Sequence, residues 1–380
     1  MRWRAAVCAA LLGPAWVGAQ TLLPFTAQER AQIASHGPWP VSAEADRSNR
    51  GERQPAAVAW GRQLFHDPAL SIDGRVSCAS CHVPGLAFQD GKAVPAVRGG
   101  KPAAARNTPS LLDVAGLRWL GWDGGHDNLW AASRAPLLKP DEMGWTVSAL
   151  AARVRADKQL SAGYQRVFRA PPPADDERLV VDLAKALAAY QATLQSPRTP
   201  FDRFRDALLR GDTRRASDYP VAAQRGLKLF IGRGRCSVCH AGPRFSNGEF
   251  ADIGVPFFVA GGADPGRHGG LQQVMGGALN RLGPYSDAPG TDPRAVPTRH
   301  LVLEPRHFGE FRVPGLRQLT HTAPYMHNGS LATLEAVVRH YSELNEERLH
   351  ADGERILRRL DLTPQESVDL AAFLRSLSSR

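Results

Sequence analysis

Four of the five cysteines in this chain fall in two copies of one pattern, Cys78-Ala79-Ser80-Cys81-His82 and Cys236-Ser237-Val238-Cys239-His240. Two thiols three positions apart reach the vinyl groups on one edge of a porphyrin. The adjacent histidine then turns its imidazole onto the iron, so Cys-x-x-Cys-His reads as a c-type haem attachment site. A Cys-x-x-Cys pair also serves zinc knuckles and thioredoxin-like redox motifs, and two pairs together can build one four-cysteine zinc site. Such pairs are usually about 15–20 residues apart. Here the second begins only at Cys236, and a histidine closes each copy. The pattern implies two covalently bound haem c groups, with His82 and His240 as proximal ligands.

The elements that position these motifs must come from a chain of 380 residues, long enough for two domains with ordinary cores. Arg2 and Arg4, the apolar run of residues 5–17 and the small residues Val17-Gly18-Ala19 read as a secretory signal peptide, residues 1–19. Cleavage after Ala19 removes Cys8 and leaves only the motif cysteines. No later run of about 18 apolar residues is long enough to span a membrane. A periplasmic location follows as the expectation. The formal charge is +10, mostly arginine spread along the chain, which argues against a nucleic-acid partner.

Residues 20–57 read as an extended lead-in with one short helix at Ala27–Ser35, and regular structure starts at 58–65. Residues 83–107, rich in Gly, Pro and Ala, read as loop. Helices are predicted over 147–155 and 176–194, the second with Leu183, Leu187, Tyr190 and Leu194 on one face. Residues 196–220 read as an interdomain connection, and 242–300 as a long Gly/Pro-rich insertion without helical period. A last helix starts at the capping box Thr363-Pro364-Gln365-Glu366 and buries Leu370, Phe373, Leu374 and Leu377.

The two halves repeat each other. Gly61-Arg62-Gln63-Leu64-Phe65 precedes the first motif as Gly226-Leu227-Lys228-Leu229-Phe230 precedes the second. Pro109-Ser110-Leu111 matches Pro314-Gly315-Leu316. Further on, Trp122-Asp123-Gly124 matches His327-Asn328-Gly329, and each half closes on Val-Asp-Leu-Ala. The fold class expected is all-α: two cytochrome c-like haem domains related by an internal repeat, with long irregular loops. The boundaries are 20–57 for the lead-in, 58–205 for the first domain and 206–380 for the second.

Beyond the two motifs, several phrases resemble the bacterial di-haem cytochrome c peroxidase family, which includes MauG-like enzymes. They are Leu64-Phe65-His66-Asp67-Pro68, Arg106-Asn107-Thr108-Pro109-Ser110-Leu111, Trp122-Asp123-Gly124, Glu142-Met143-Gly144 and Thr322-Ala323-Pro324-Tyr325-Met326-His327-Asn328-Gly329. The resemblance implies peroxide chemistry at the first haem and electron entry at the second. It implies Glu142 as distal acid/base, Pro136 in the distal pocket and Trp122 as relay between the haems. It also implies a calcium ion held by Asn107 and the carbonyls of Thr322 and Pro324.

Two departures carry weight. Residues 83–107 contain neither histidine nor methionine to block the first iron, and Arg98 stands near the expected place. At the second iron, the position at which many members of the family carry methionine is Tyr341, with Met326 as the competing ligand; packing is the bland reading of either. Ala132 replaces a glutamine expected before Pro136. The resulting expectation is a di-haem enzyme that reduces hydrogen peroxide with electrons from a cytochrome c or copper protein. Two rivals stand beside it, a MauG-like oxidation of a partner protein or organic substrate and a non-catalytic electron carrier.

Overall fold

The computed structural model describes residues 21–42, 44–95, 106–259, 262–347, 352–353 and 355–379. The expected signal peptide and Arg98 lie outside them. The fold is mostly helical, and its two cores are each built on one pair of crossing helices. In the first, Pro55–His66 crosses Asp176–Gln191. In the second, Val221–Ile231 crosses Pro364–Arg375. A glycine marks each crossing. A Cβ on Gly61 would stand 1.9 Å from the Ala186 carbonyl oxygen, and one on Gly226 2.0 Å from that of Asp369. Only a residue without a side chain lets backbones approach this closely.

The helix ends follow from local sequence. Thr26 and Thr363 make capping boxes with Glu29 and Glu366. Asp175 caps Asp176–Gln191, whose first turn carries Asp176 and Glu177 at the positive end of the helix dipole. That helix is apolar on more than the one predicted face. Every residue from Leu179 to Gln191 is buried, because Val181 and Ala188 feed a third cluster around Trp130 while Leu183 and Leu187 fill the first core. The last helix buries Leu370, Phe373 and Leu374 as expected, with Leu377 just beyond its end.

Two stretches differ from the sequence reading. Residues 196–220 contain the helices Pro200–Leu209 and Thr213–Ser217. Pro200 sits at the first helical position, where its missing N–H costs nothing, and a Thr199/Asp202 capping box starts the turn. Phe201, Phe204 and Leu208 pack into the second core, so this segment joins that unit before residue 206. Residues 242–300 hold the helix Arg267–Gly276 and part of two short antiparallel pairings. The helix lacks an apolar period because Gly270 and the buried Arg267 face Trp122–Gly124. A Cβ on Gly270 would meet the Asp123 carbonyl at 2.1 Å.

The front of the lead-in belongs to the second core, whereas its end joins the first through Ala57 and through Asn49, which donates to Lys185 O. Phe25 and Ile33 pack with Phe201, Phe204 and Phe230, and His36 stacks on Phe245 with ring centroids 4.6 Å apart. The insertion is stitched on by buried ions. Arg281 pairs with Asp46 and Asp292, and Lys185 with Asp287 at 2.7 Å. No helix among the described residues is long and apolar enough to cross a membrane.

Candidate haem-binding sites

Each Cys-x-x-Cys-His motif comes after a core helix, the second within a short turn of Ile231 and the first after the turn Pro68–Leu70 and a further loop. Ser77 and Ser80 cap the one-turn helix Cys78–Cys81, which turns both thiols to the same side. The ring of His82 lies 6.5 Å from that of Phe65 at the end of the preceding helix. Its Nδ1 is 2.9 Å from the Phe88 carbonyl, which a left-handed Phe88 (φ 59°) turns inward. The second loop is built alike. His240 lies 6.4 Å from Phe230, and its Nδ1 is 2.9 Å from the carbonyl of Phe245, whose φ is 55°. The carbonyls of Pro109 and Pro314 act on the two imidazoles in the same sense.

These contacts fix a tautomer. With Nδ1–H donated to a carbonyl, Nε2 keeps its lone pair for a metal. Burial pushes both imidazoles below the ordinary histidine range, which preserves the neutral, ligating form. Burial pushes the Cys78 and Cys236 thiols up to about 12. They are therefore neutral thiols in apolar surroundings, unlike the thiolates of a reactive or metal-binding pair. Among the described residues, no three His, Cys, Asp or Glu side chains gather into a metal cluster, so the pairs do not converge on one zinc site. The donor set fits two haem groups, each with one histidine below and two thiols at an edge.

The residues expected above the first loop are brought together by one turn. Asn128 caps the helix Leu129–Leu138, which carries Pro136 inside it. The Pro136 carbonyl then accepts from Met143 N at 3.1 Å, so the chain folds back and places Glu142 beside the helix end. Glu142 Oε1 is 2.6 Å from Lys139 Nζ, and its side chain is one-third exposed. Its charge is felt at Cys78, Cys81 and His82, so the carboxylate faces the first motif.

Trp122 sits where the halves meet. Its Nε1 donates to the Asn107 carbonyl at 2.8 Å, and its own carbonyl accepts from Arg312 N at 2.8 Å. Asn107 N donates in turn to the His327 carbonyl at 2.7 Å. Gln89 donates to the carbonyls of His321 and Ala323, across the junction from the first motif. The loop containing Thr322 and Pro324 is thus tied to both Asn107 and the first motif. Asn107 Nδ2 donates to Lys92 O, which leaves its amide oxygen for another partner.

Tyr341 lies in the last turn of the helix Leu334–Ser342, close to Cys236 and Cys239. Burial pushes its phenol well above the ordinary tyrosine range. Met326 occupies a left-handed turn position, φ 73°, between Tyr325 and His327. Sequence reasoning missed Gln89 and the salt bridges of Arg106 to Asp264 at 2.7 Å and to Asp123 at 2.5 Å. Arg106 precedes Asn107 in a singled-out phrase, but nothing local announces a partner 158 residues away.

Two helical cores that each present a histidine and a thiol pair define a di-haem oxidoreductase. Residues 55–213 match the sequence profile of the family described as di-haem cytochrome c peroxidase. The chain is 35% identical over 325 residues to the methylamine utilization protein MauG of Methylorubrum extorquens, covering 86% of this chain and 79% of that one. It is 34% identical to the cytochrome-c peroxidase IdrP1 of Denitromonas iodatirespirans, covering 92% and 87%. Its fold resembles the diheme peroxidase BthA of Burkholderia thailandensis with a TM-score of 0.68, 26% identity and 89% of each chain covered. The chain belongs to the di-haem cytochrome c peroxidase family, and it is a haem oxidoreductase.

Proposed function

We propose that this protein is a periplasmic enzyme that reduces hydrogen peroxide to water with electrons from a small redox protein, a cytochrome c or a copper protein. The observation that carries the reading is the placement of Glu142. Among the described residues it is the one carboxylate whose charge acts on both thiols and the histidine of the first motif. A haem held by His82, Cys78 and Cys81 would supply the redox chemistry that breaks the O–O bond. Glu142 takes the proton from the near peroxide oxygen and returns it to the far one, which makes water the leaving group. Lys139 holds the carboxylate at Oε1, and Oε2 carries the proton. Two protons and two electrons enter per peroxide, and two waters leave.

The haems are covalent in this reading, through Cys78 and Cys81 and through Cys236 and Cys239. A haem held by His240 would take in electrons from the donor, and Trp122, where the halves meet, would pass them across. The two haem-binding units are copies of one cytochrome c-like unit. Matching left-handed turns support this: Phe88 with Phe245, Asp113 with Gln318, and Gly124 with Gly329. Asn107, Thr322 and Pro324 hold a calcium ion, with hard oxygens as its ligands. The buried Gln89 Oε1, which has no partner, stands beside them.

Tyr341 as sixth ligand of the second iron favours a second reading. A hard anionic donor stabilises ferric iron, whereas methionine raises the potential. The oxidising equivalents are then passed to a protein or organic substrate, as in a MauG-like enzyme. Peroxide turnover by the holoprotein, with and without a reduced cytochrome c or copper protein, separates the readings. Donor-dependent turnover is expected. Rapid reaction with peroxide that no donor accelerates favours the second reading, and no reaction refutes both.

A further inference from the structure

A groove lies between the lead-in around residues 39–44, the turn at 115–117 and residues 293–297, with a volume of about 380 Å³. A neighbouring lobe of about 620 Å³ shares Val41, Gly116 and Arg244 with it and extends toward Asp113 and Glu52. Neither lobe is lined by a cysteine or histidine of the haem motifs. We propose that this groove binds a small oxyanion or carboxylate from solution, held by Arg244 and Arg294.

Arg244 carries the argument. Its guanidinium lies flat against Gly116, where an added Cβ would stand 1.9 Å from Nη2. Gly116 does not have a left-handed φ, so the glycine is there for room, not for its turn. The Nε of Arg244 is buried, and among the described residues nothing hydrogen-bonds or ion-pairs with this guanidinium. A buried guanidinium N–H left without a partner is costly, even where the rest of the side chain is only half-buried.

The acids nearby are already engaged. Asp113 accepts from Ser196 N at 2.9 Å and Ser196 Oγ at 2.7 Å. Glu52 accepts from Asp46 N, and burial raises its carboxyl above the ordinary range. Glu44 is at the rim and exposed.

Arg294 is the second cation. It reaches the carbonyls of Ala115 and Leu117 only at 3.4 and 3.3 Å. Arg281, the third guanidinium of the groove, is spent on Asp46, Asp292 and the Asp127 carbonyl. Burial lowers the affinity of Arg244 and Arg294 for their protons; Asp113 offsets part of this at Arg244, and Asp46, Glu52 and Asp292 at Arg294, but each guanidinium also suffers repulsion from other arginines. An anion between them relieves both penalties. Planar guanidinium forks match the oxygens of phosphate and carboxylate, and the volume admits an ion of phosphate to short dicarboxylate size. Arg244 belongs to the loop that carries His240, and its carbonyl accepts from Leu316 N, so the occupied groove braces that loop.

The test is isothermal titration of the holoprotein with inorganic phosphate and with succinate, at fixed ionic strength in chloride. One saturable site is expected. Arg244→Gln and Arg294→Gln should each weaken it roughly 10- to 100-fold, as for loss of charge-assisted hydrogen bonds. Gly116→Ala, which keeps every charge but displaces the guanidinium, should weaken it too. Absence of saturable binding, or unchanged affinity in Arg244→Gln, overturns the proposal. So does an altered haem content or haem spectrum in Arg244→Gln, because the arginine then serves a haem carboxylate instead. If that variant does not fold, Arg244→Lys keeps the charge and loses the fork, and equal affinity in it overturns the proposal.

Discussion

Replacing Gly226 by alanine should destabilise the second core and disturb its haem while leaving the first haem unchanged. The new Cβ would stand 2.0 Å from the Asp369 carbonyl oxygen and 2.8 Å from Phe373 Cβ. An ordinary contact starts near 3.4 Å, so the two helices must part by about 1.4 Å. The obstacle is a carbonyl inside a helix, which cannot rotate away as a side-chain tip does. Overpacking of this kind costs about 1–3 kcal/mol, against a gain of up to about 1 kcal/mol from alanine in a helix. A net loss of about 1 kcal/mol is expected, read as a lower urea midpoint at unchanged slope. Phe230, one turn on, faces His240, so the absorbance of the second haem should shift. Gly61→Ala is the mirror experiment, because its Cβ meets Ala186 O at 1.9 Å and Phe65 faces His82. Gly276→Ala is the control, since its Cβ would point into open space. If Gly226→Ala matches that control in midpoint and spectrum, the close crossing is not what holds the core.

Four further outcomes are expected. A pyridine haemochrome assay should count two c-type haems per chain; a lower count defeats the covalent di-haem reading. Tyr341→Phe should remove the low-spin signal of the second iron and Met326→Leu should not; the reverse pattern transfers ligation to Met326. Fully oxidised protein mixed with peroxide in stopped flow should react at once, and Glu142→Gln should slow O–O cleavage by about 10²–10⁴ without weakening peroxide binding; reaction only after one-electron reduction would mean that another ligand caps the first iron. His36 is held neutral by burial, with Arg205 and Arg317 opposing its charge, so its folded pKa lies below its unfolded value. The unfolded chain then takes up a proton that the folded one refuses, and stability falls as pH drops below about 6.5. His36→Phe should flatten the urea midpoint between pH 7 and pH 5, and an unaltered pH slope would contradict this.

Much of the site was legible because its chemistry is local. The two motifs announce their own spacing, and similar sequence phrases set Phe65 beside Phe230 and Pro109 beside Pro314, which act on the two histidines alike. The capping boxes at Thr26 and Thr363 are also three-residue signals, so both helix starts are visible in the sequence. The helix Pro200–Leu209 carries the same kind of start at Thr199 and Asp202, but the prolines and glycine around it read from sequence as an interdomain connection. Arg267–Gly276 is hidden because it packs through backbone and a buried arginine instead of an apolar stripe. Partners such as Arg106 and Asp264, or Gln89 and Ala323, are joined only by the fold. No property of one side chain points to the other across so much chain.

The docking of the lead-in sets an order on folding. Leu23 N donates to Gln224, a contact that spans 201 residues, and Lys228 reaches back to Glu29 across 199. The helix Ala27–Ser35 is synthesised first, yet everything it packs against is made much later. Closing so long a loop is an entropic cost that no local contact defrays beforehand. The first core, by contrast, closes within residues 55–191, and needs neither end of the chain. The first haem unit can therefore reach its shape while the chain is still emerging. The second waits for a segment that has been unpartnered since the beginning, and a short deletion around Phe25 and Ile33 should slow the assembly of the distant half while sparing the adjacent one.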